Sequence, residues 1–332
     1  MRIGVILAAV TGLALAAYLI VYVGFGPVLA AIGSVGWGGF AMLCLYGAAL
    51  FVLLGTAWFA LIPARYRPDF ATYFWARAVR DCAGEVLPFS QVGGMVIGAR
   101  AAMLRGVGGP LAFASTIVDI TVEMVAEIAF VLAGLAILVA RVPPSAASGQ
   151  LVRGLAIGLF AAALGAAVFV VLQRKSFSTI VRWMTRLLPE TAGKATAIER
   201  SFTELYDSPL RLAFSLAIHL TGWLATALWA WFAVRLIGKP VSFSSIVAIE
   251  AILYGIRSAA IFVPAAIGVQ EAAYALLGPL FGLAAPAALA LSLLKRARDI
   301  VLSVPVLLAW QAAEGGHALR ASREAARLVG DE

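Results

Sequence analysis

Six apolar stretches of bilayer-spanning length recur along this chain, at about 3–23, 37–62, 111–140, 151–172, 212–237 and 286–311. A hydrocarbon core about 30 Å thick takes roughly 20 helical residues to cross. It contains no water to satisfy exposed backbone groups, so only helices and closed barrels can span it. The stretches are too long for barrel strands and are apolar throughout rather than alternating, so the chain is read as an all-α polytopic membrane protein. Composition agrees: of 332 residues, 63% are hydrophobic and 13% charged, against about half and a quarter in soluble proteins. That balance excludes a cytoplasmic enzyme, a disordered protein and a nucleic-acid-binding module. The first stretch also admits a cleaved-signal reading, with Ala14-Leu15-Ala16 as a cleavage-like site. Its 21 residues exceed the roughly 7–15 of a signal core, so it is expected to be a retained helix.

Two more apolar segments are each broken by Pro or Gly and carry ionisable residues. Residues 77–105 split at Pro88 to Gly94, with Gly93 inside the break, into arms too short to span. Residues 243–283 split at Pro264 to Gly268 into arms close to spanning length, which either cross fully or stop midway. The expectation is six spans plus two broken or re-entrant helical hairpins, with eight spans as the variant. The net charge of +8 reports orientation here, because Lys and Arg accumulate on the cytoplasmic side. Outside the hairpins and helix interiors, 14 basic residues fall on one side and only Arg141, Arg153, Arg235 and Lys239 on the other. Both termini are therefore expected in the cytoplasm. Residues 173–208 form a cytoplasmic amphipathic loop, with Phe177, Ile180, Val181, Met184, Leu187 and Leu188 at helical spacing for a helix lying on the membrane surface.

The two hairpins resemble each other in layout. In the first, Asp119 follows Pro88 by 31 residues; in the second, Arg296 follows Pro264 by 32. Given the orientation, one hairpin enters from each side of the membrane. The chain then divides, within a single membrane domain over 1–332, into a first repeat unit at 37–140, a second at 209–311, and a cytoplasmic tail at 312–332. Such an inverted-topology internal repeat with broken helices at mid-depth is an arrangement that transporters use. The alternative is that Pro and Gly merely kink ordinary spans.

Charges at bilayer depth mark the candidate pathway. Lys295-Arg296-Ala297-Arg298-Asp299 starts at the tenth residue of its stretch. At roughly 2.5–3.5 kcal/mol per charge, four such groups facing lipid would cost about 10–14 kcal/mol. Asp119, Glu123 and Glu127 recur at i, i+4 and i+8 on one helical stripe. Arg77, Arg80, Asp81, Glu85 and Arg100 crowd the first hairpin, and Glu250, Arg257, Gln270 and Glu271 the second. Seven basic groups stand against eight acids, a near-balance expected of paired networks lining one polar interior. The competing reading is that the pairs only hold helices together.

Other features carry less. Cys44 and Cys82 read as packing residues, His219 as a satisfied structural histidine, and Gly154 with Gly158 as helix packing. No Walker, GxSxG, HExxH or CxxC sequence occurs, so neither metal nor cofactor is expected.

The segments GEVLPFSQVGGMVIGARAAMLRGV, STIVDITVEM, LAIHLTGW, IEAILYGIRSAAIFVPAAIGVQEAAYALLG and LALSLLKRARDI resemble the hopanoid-associated membrane protein family HpnL. That family is a branch of the flippase-like group sharing the membrane region of lysylphosphatidylglycerol synthase. The resemblance runs over most of residues 65–315, whereas residues 1–60 and the tail are generic. It implies a lipid translocator of the bacterial inner membrane, moving hopanoids toward the outer membrane. Membrane lipids would be its partners, with hopanoid-synthesis or envelope-transport proteins beside them and no nucleic acid. The sequence stops at Glu332, shortly after its last span, so the synthase's lysylating activity is not expected. The alternatives are a flippase of an aminoacylated or anionic phospholipid, a membrane-embedded lipid-modifying enzyme, and a hopanoid-synthesis scaffold.

Overall fold

The computed structural model describes residues 10, 13–15, 17–22, 24–66, 69–86, 90–141, 146–187, 192–260 and 263–330. Among these no strand occurs. From residue 24 onward the helices are α1 (Phe25–Gly33), α2 (Gly36–Leu61), α3 (Phe70–Val86), α4 (Ser90–Met103), α5 (Gly109–Arg141), α6 (Ala146–Leu187), α7 (Ala192–Tyr206), α8 (Pro209–Leu236), α9 (Phe243–Ala259), α10 (Val269–Leu280) and α11 (Ala285–Gly330). Their ends follow local rules. Asp69 caps α3 by accepting from the Thr72 backbone N–H at 3.0 Å, and Ser242 caps α9 through the Ser245 N–H at 3.2 Å. Pro209 opens α8, where its missing N–H costs nothing.

Four helices among the described residues are long and apolar enough to cross a bilayer alone: α2, α5, residues 153–173 of α6, and α8. They match four of the six expected spans. The expected span at 3–23 lies largely outside the described residues. That at 286–311 is helical but carries Lys295, Arg296, Arg298 and Asp299 in its middle.

Both broken segments are helical hairpins, with corrected limits. The first begins at Phe70 rather than at position 77, because Asp69 supplies the cap; its arms have 17 and 14 residues. Pro88 lies outside the described residues. The second has arms of 17 and 12 residues, shorter than the near-spanning arms read from sequence, since the break widens to a 3₁₀ turn at Pro264–Ala266. At 1.5 Å per residue none of the four arms exceeds about 26 Å, short of the ~30 Å hydrocarbon core.

One other expectation is corrected. Residues 174–187 are not a separate surface helix but continue α6, a single 42-residue helix. No Pro or Gly occurs between residues 166 and 188 to break it. The side chains at 174–192 lie outside the described residues. Helix α11 runs unbroken for 46 residues to Gly330, so most of the expected tail from 312 is helical and continuous with it.

Helix packing shows an exchange pattern. Within residues 36–141, α2 packs on α3 and α5, α3 on α4, and α4 on α5; within 209–330, α8 packs on α9 and α11, α9 on α10, and α10 on α11. Across the two sets, α5 packs on α9 and α8, while α11 packs on α3 and α2. Helices α2 and α8 pack on each other. Each contact therefore has a counterpart when the two sets are interchanged. Helices α6 and α7 sit outside this scheme, packed together and against α5. Gly154 and Gly158 lie exposed on α6, where an added Cβ would meet nothing, so the expected packing role is not seen within this chain.

Candidate functional site

The first hairpin brings Arg77 and Arg80 of α3 against the acidic stripe of α5. Arg77 donates to Glu123 at 2.6 Å, to Asp119 at 3.2 Å and to Asp81 at 2.7 Å. Arg80 donates to Asp119 at 2.7 Å and to Glu123 at 2.8 Å, with its guanidinium 5.3 Å from the Trp58 ring centroid. Such multidentate guanidinium–carboxylate pairing is what lets two arginines lie almost fully buried. Helix α4 can approach because Gly94 and Gly98 lack side chains; a Cβ on Gly94 would meet the Arg80 carbonyl oxygen at 2.8 Å. His219 of α8 completes the cluster, with Nε2 3.1 Å from Asp119 and Nδ1 without a partner among the described residues. The expected satisfied histidine is thus satisfied on one nitrogen only.

The second hairpin makes two different groupings. Lys295 of α11, fully buried, donates to Glu250 of α9 at 2.5 Å and to the Tyr274 hydroxyl of α10 at 3.2 Å. Tyr274 itself donates to Glu250. Nearer the break, Arg296 donates to Glu271 at 2.5 Å and to the carbonyls of Ala265 and Ala266 at 3.3 and 3.2 Å. Glu271 also accepts from the Gly268 backbone N–H at 2.8 Å and from Ser292 at 3.0 Å. These bonds hold Ala265 and Ala266 at φ 50° and 48°, a left-handed conformation costing roughly 1–2 kcal/mol per L-residue. They also satisfy the carbonyls that the interrupted helix leaves free. Arg257 of α9 reaches across to Glu85 of α3 at 2.7 Å and donates to Gln270 at 3.0 Å.

Between these clusters lies a cavity of about 560 Å³, bounded by α2, α3, α4, α5, α6, α8, α9, the Pro264 turn and α11. Nine charged residues line it: Arg77, Arg80, Asp81, Glu85, Glu123, Glu127, Arg257, Arg298 and Asp299. Apolar side chains line it as well, among them Leu50, Phe51 and Leu54 of α2, Ile128 of α5 and Leu159 of α6. Each arginine described at the cavity is bonded to a carboxylate. Arg298 pairs with Asp299 at 2.5 Å and lies 4.4 Å from the Trp229 ring centroid. It can lie flat against α2 because residue 47 is glycine.

Nine of the sixteen charged or polar residues read from sequence therefore share one cavity. The other seven do not line it. Asp119 lies behind Arg77 and Arg80; Glu250 and Lys295 are sealed in the apolar packing of α9, α10 and α11; Gln270, Glu271 and Arg296 secure the turn behind Ala265 and Ala266. Arg100 is remote, paired at 2.8 Å with Glu314. Among the breaks, Gly94 borders the cavity, whereas Gly93, Pro264 and Gly268 do not. Sequence reading missed Tyr254, Ser258, Tyr274 and Ser292. The first two were discoverable, since Glu250, Tyr254, Arg257 and Ser258 fall on one helical face at i, i+4, i+7 and i+8.

The model of the family described as lysylphosphatidylglycerol synthase TM region matches residues 6–306, and so reaches into the N-terminal part that looked generic. No curated protein matches, and no solved structure does.

Proposed function

Because the chain belongs to the lysylphosphatidylglycerol synthase TM region family and is a multi-pass membrane protein, we propose that it translocates a lipid. The headgroup passes along the charged residues of the cavity while the lipid's apolar body keeps to its apolar lining and the surrounding bilayer. The observation that carries this reading is the cavity itself, roughly the size of small-molecule sites and lined by both paired charges and apolar side chains.

The lipid we propose is a hopanoid, the HpnL branch being the assignment to which the sequence resemblance points. The charge arrangement supports that choice over an anionic phospholipid. Every described arginine at the cavity already holds a carboxylate, so a phosphate would have to break buried ion pairs to bind. A polyol only needs acceptors, which ionised carboxylates supply. We place the protein in the inner membrane with both termini cytoplasmic, and we read it as a translocator rather than an enzyme. We also propose that 37–140 and 209–311 are inverted repeats. The exchange pattern of helix contacts supports this, since a two-fold relation between the units would produce such counterparts.

The test is lipid analysis of separated inner and outer membranes from cells with and without the protein, and with Arg257→Gln. Loss of hopanoid from the outer membrane in the deletion and the variant, with the variant still present in the membrane, is expected. An unchanged distribution overturns the translocator. A lipid species that appears or disappears instead marks an enzyme.

A further inference from the structure

Five carboxylates line the cavity, and four of them are held by arginine: Asp81, Glu85, Glu123 and Asp299. Glu127 differs. Among the described residues it has no basic group within salt-bridge distance, and its one partner is the Ser258 hydroxyl. We propose that Glu127 is a proton-binding site through which movement in the cavity is coupled to a proton gradient. The proposal rests on the translocator reading for its coupling, but not for the proton site itself.

Three observations carry it. First, an unpaired carboxylate at membrane depth is costly, and a carboxyl group escapes that cost by taking a proton. Second, no charge around it is free to compensate. Glu123, one turn earlier on α5, has its own sign. On α3, Arg77 and Arg80 are bonded to Glu123 and Asp119. Arg257, beside Ser258 on α9, is already bonded to Glu85 and Gln270. On α11 Arg298 is paired with Asp299, and on α8 His219 is bonded to Asp119. Helices α2 and α6 present only apolar side chains or glycine there, and α7 presents none. Third, the hydrogen bond joins α5 to α9, one of the packed pairs that link the two exchanged sets of helices. A charged Glu127 can only accept from Ser258, whereas a protonated one can also donate. Proton binding therefore alters a bond that sits on the joint between the units. The step is balanced: one carboxylate oxygen takes a proton from one side and releases the same proton to the other, with no change of oxidation state.

The experiment uses the full chain in phosphatidylcholine–phosphatidylglycerol vesicles, with two readouts. In an infrared pH titration, the parent should show a protonated-carboxyl band that titrates and that is absent from Glu127→Gln, while Ser258→Ala shifts its midpoint. In vesicles enclosing a pH dye, bacteriohopanetetrol added outside should produce an internal pH change at least tenfold larger for the parent than for Glu127→Gln. Both variants are first checked for an unchanged elution profile. Absence of the band, or its survival in Glu127→Gln, overturns the proton site whether or not lipid moves. Hopanoid movement without a pH change overturns the coupling. A titrating Glu127 band in a protein that moves no hopanoid supports the site and defeats the translocator reading instead.

Discussion

The two hairpins occupy equivalent places in the packing scheme yet use their charges in opposite ways. In the first, the bases are on the leading arm α3 and the acids on the following long helix α5. In the second, the buried acid Glu250 is on the leading arm α9 and the buried base Lys295 on α11. The first cluster is redundant and borders the cavity, with Arg77 and Arg80 sharing Asp119 and Glu123. The second is closed: Glu250, Lys295 and Tyr274 are all fully buried and use one another. Equivalent geometry thus supports a wettable ionic surface on one side and a dry lock on the other.

The largest effect should come from opening the lock. Lys295→Met leaves Glu250 buried without its cation, a loss on the order of 3–5 kcal/mol for a broken buried pair. We expect the variant to unfold in detergent well below the parent temperature. Adding Glu250→Gln should recover most of the loss, and a single variant as stable as the parent would refute the lock. Next comes Arg80→Gln in the redundant cluster, where Asp119 keeps Arg77 and His219. The loss should be about 1–3 kcal/mol, with folded protein retained in the membrane but hopanoid redistribution abolished. A stability loss equal to that of Lys295→Met would erase the difference between the hairpins.

A smaller effect, of opposite sign, is expected at the second break. Ala265→Gly and Ala266→Gly relieve left-handed strain at the cost of a looser unfolded chain, a net gain of roughly 0.5 kcal/mol each. A modest rise in melting temperature would confirm strain held by Arg296; a fall would argue against it. Least of all should matter Arg100→Ala. Its pair with Glu314 has side chains 36% and 34% exposed, and pairs of that kind contribute about 0–1 kcal/mol. A large loss there would mean that the far end of α11 anchors the first hairpin.

Much of this was legible before the fold. The long helices follow from runs of apolar residues, the hairpins from Pro and Gly inside such runs, and the α5 stripe from the spacing of Asp119, Glu123 and Glu127. What escaped has physical reasons. Helix α6 passes through the change from apolar to amphipathic composition near Gln173 because nothing in its backbone chemistry stops it, so composition placed a boundary where conformation has none. The arms of the second hairpin were overestimated because apolar content does not distinguish a helix from an unwound turn held by Arg296 and Glu271.

The sequence by itself determined that this protein is helical and embedded in a membrane, and that some fifteen charges must be hidden from lipid, because solvent and backbone chemistry act on local stretches. Only the tertiary structure decided who pairs with whom. Arg257 finds Glu85 across 172 positions, Lys295 finds Glu250 rather than the nearer Glu271, and Glu127 is left with a hydroxyl. Those choices depend on which helix faces touch, and spacing along a single helix cannot encode the position of its neighbours.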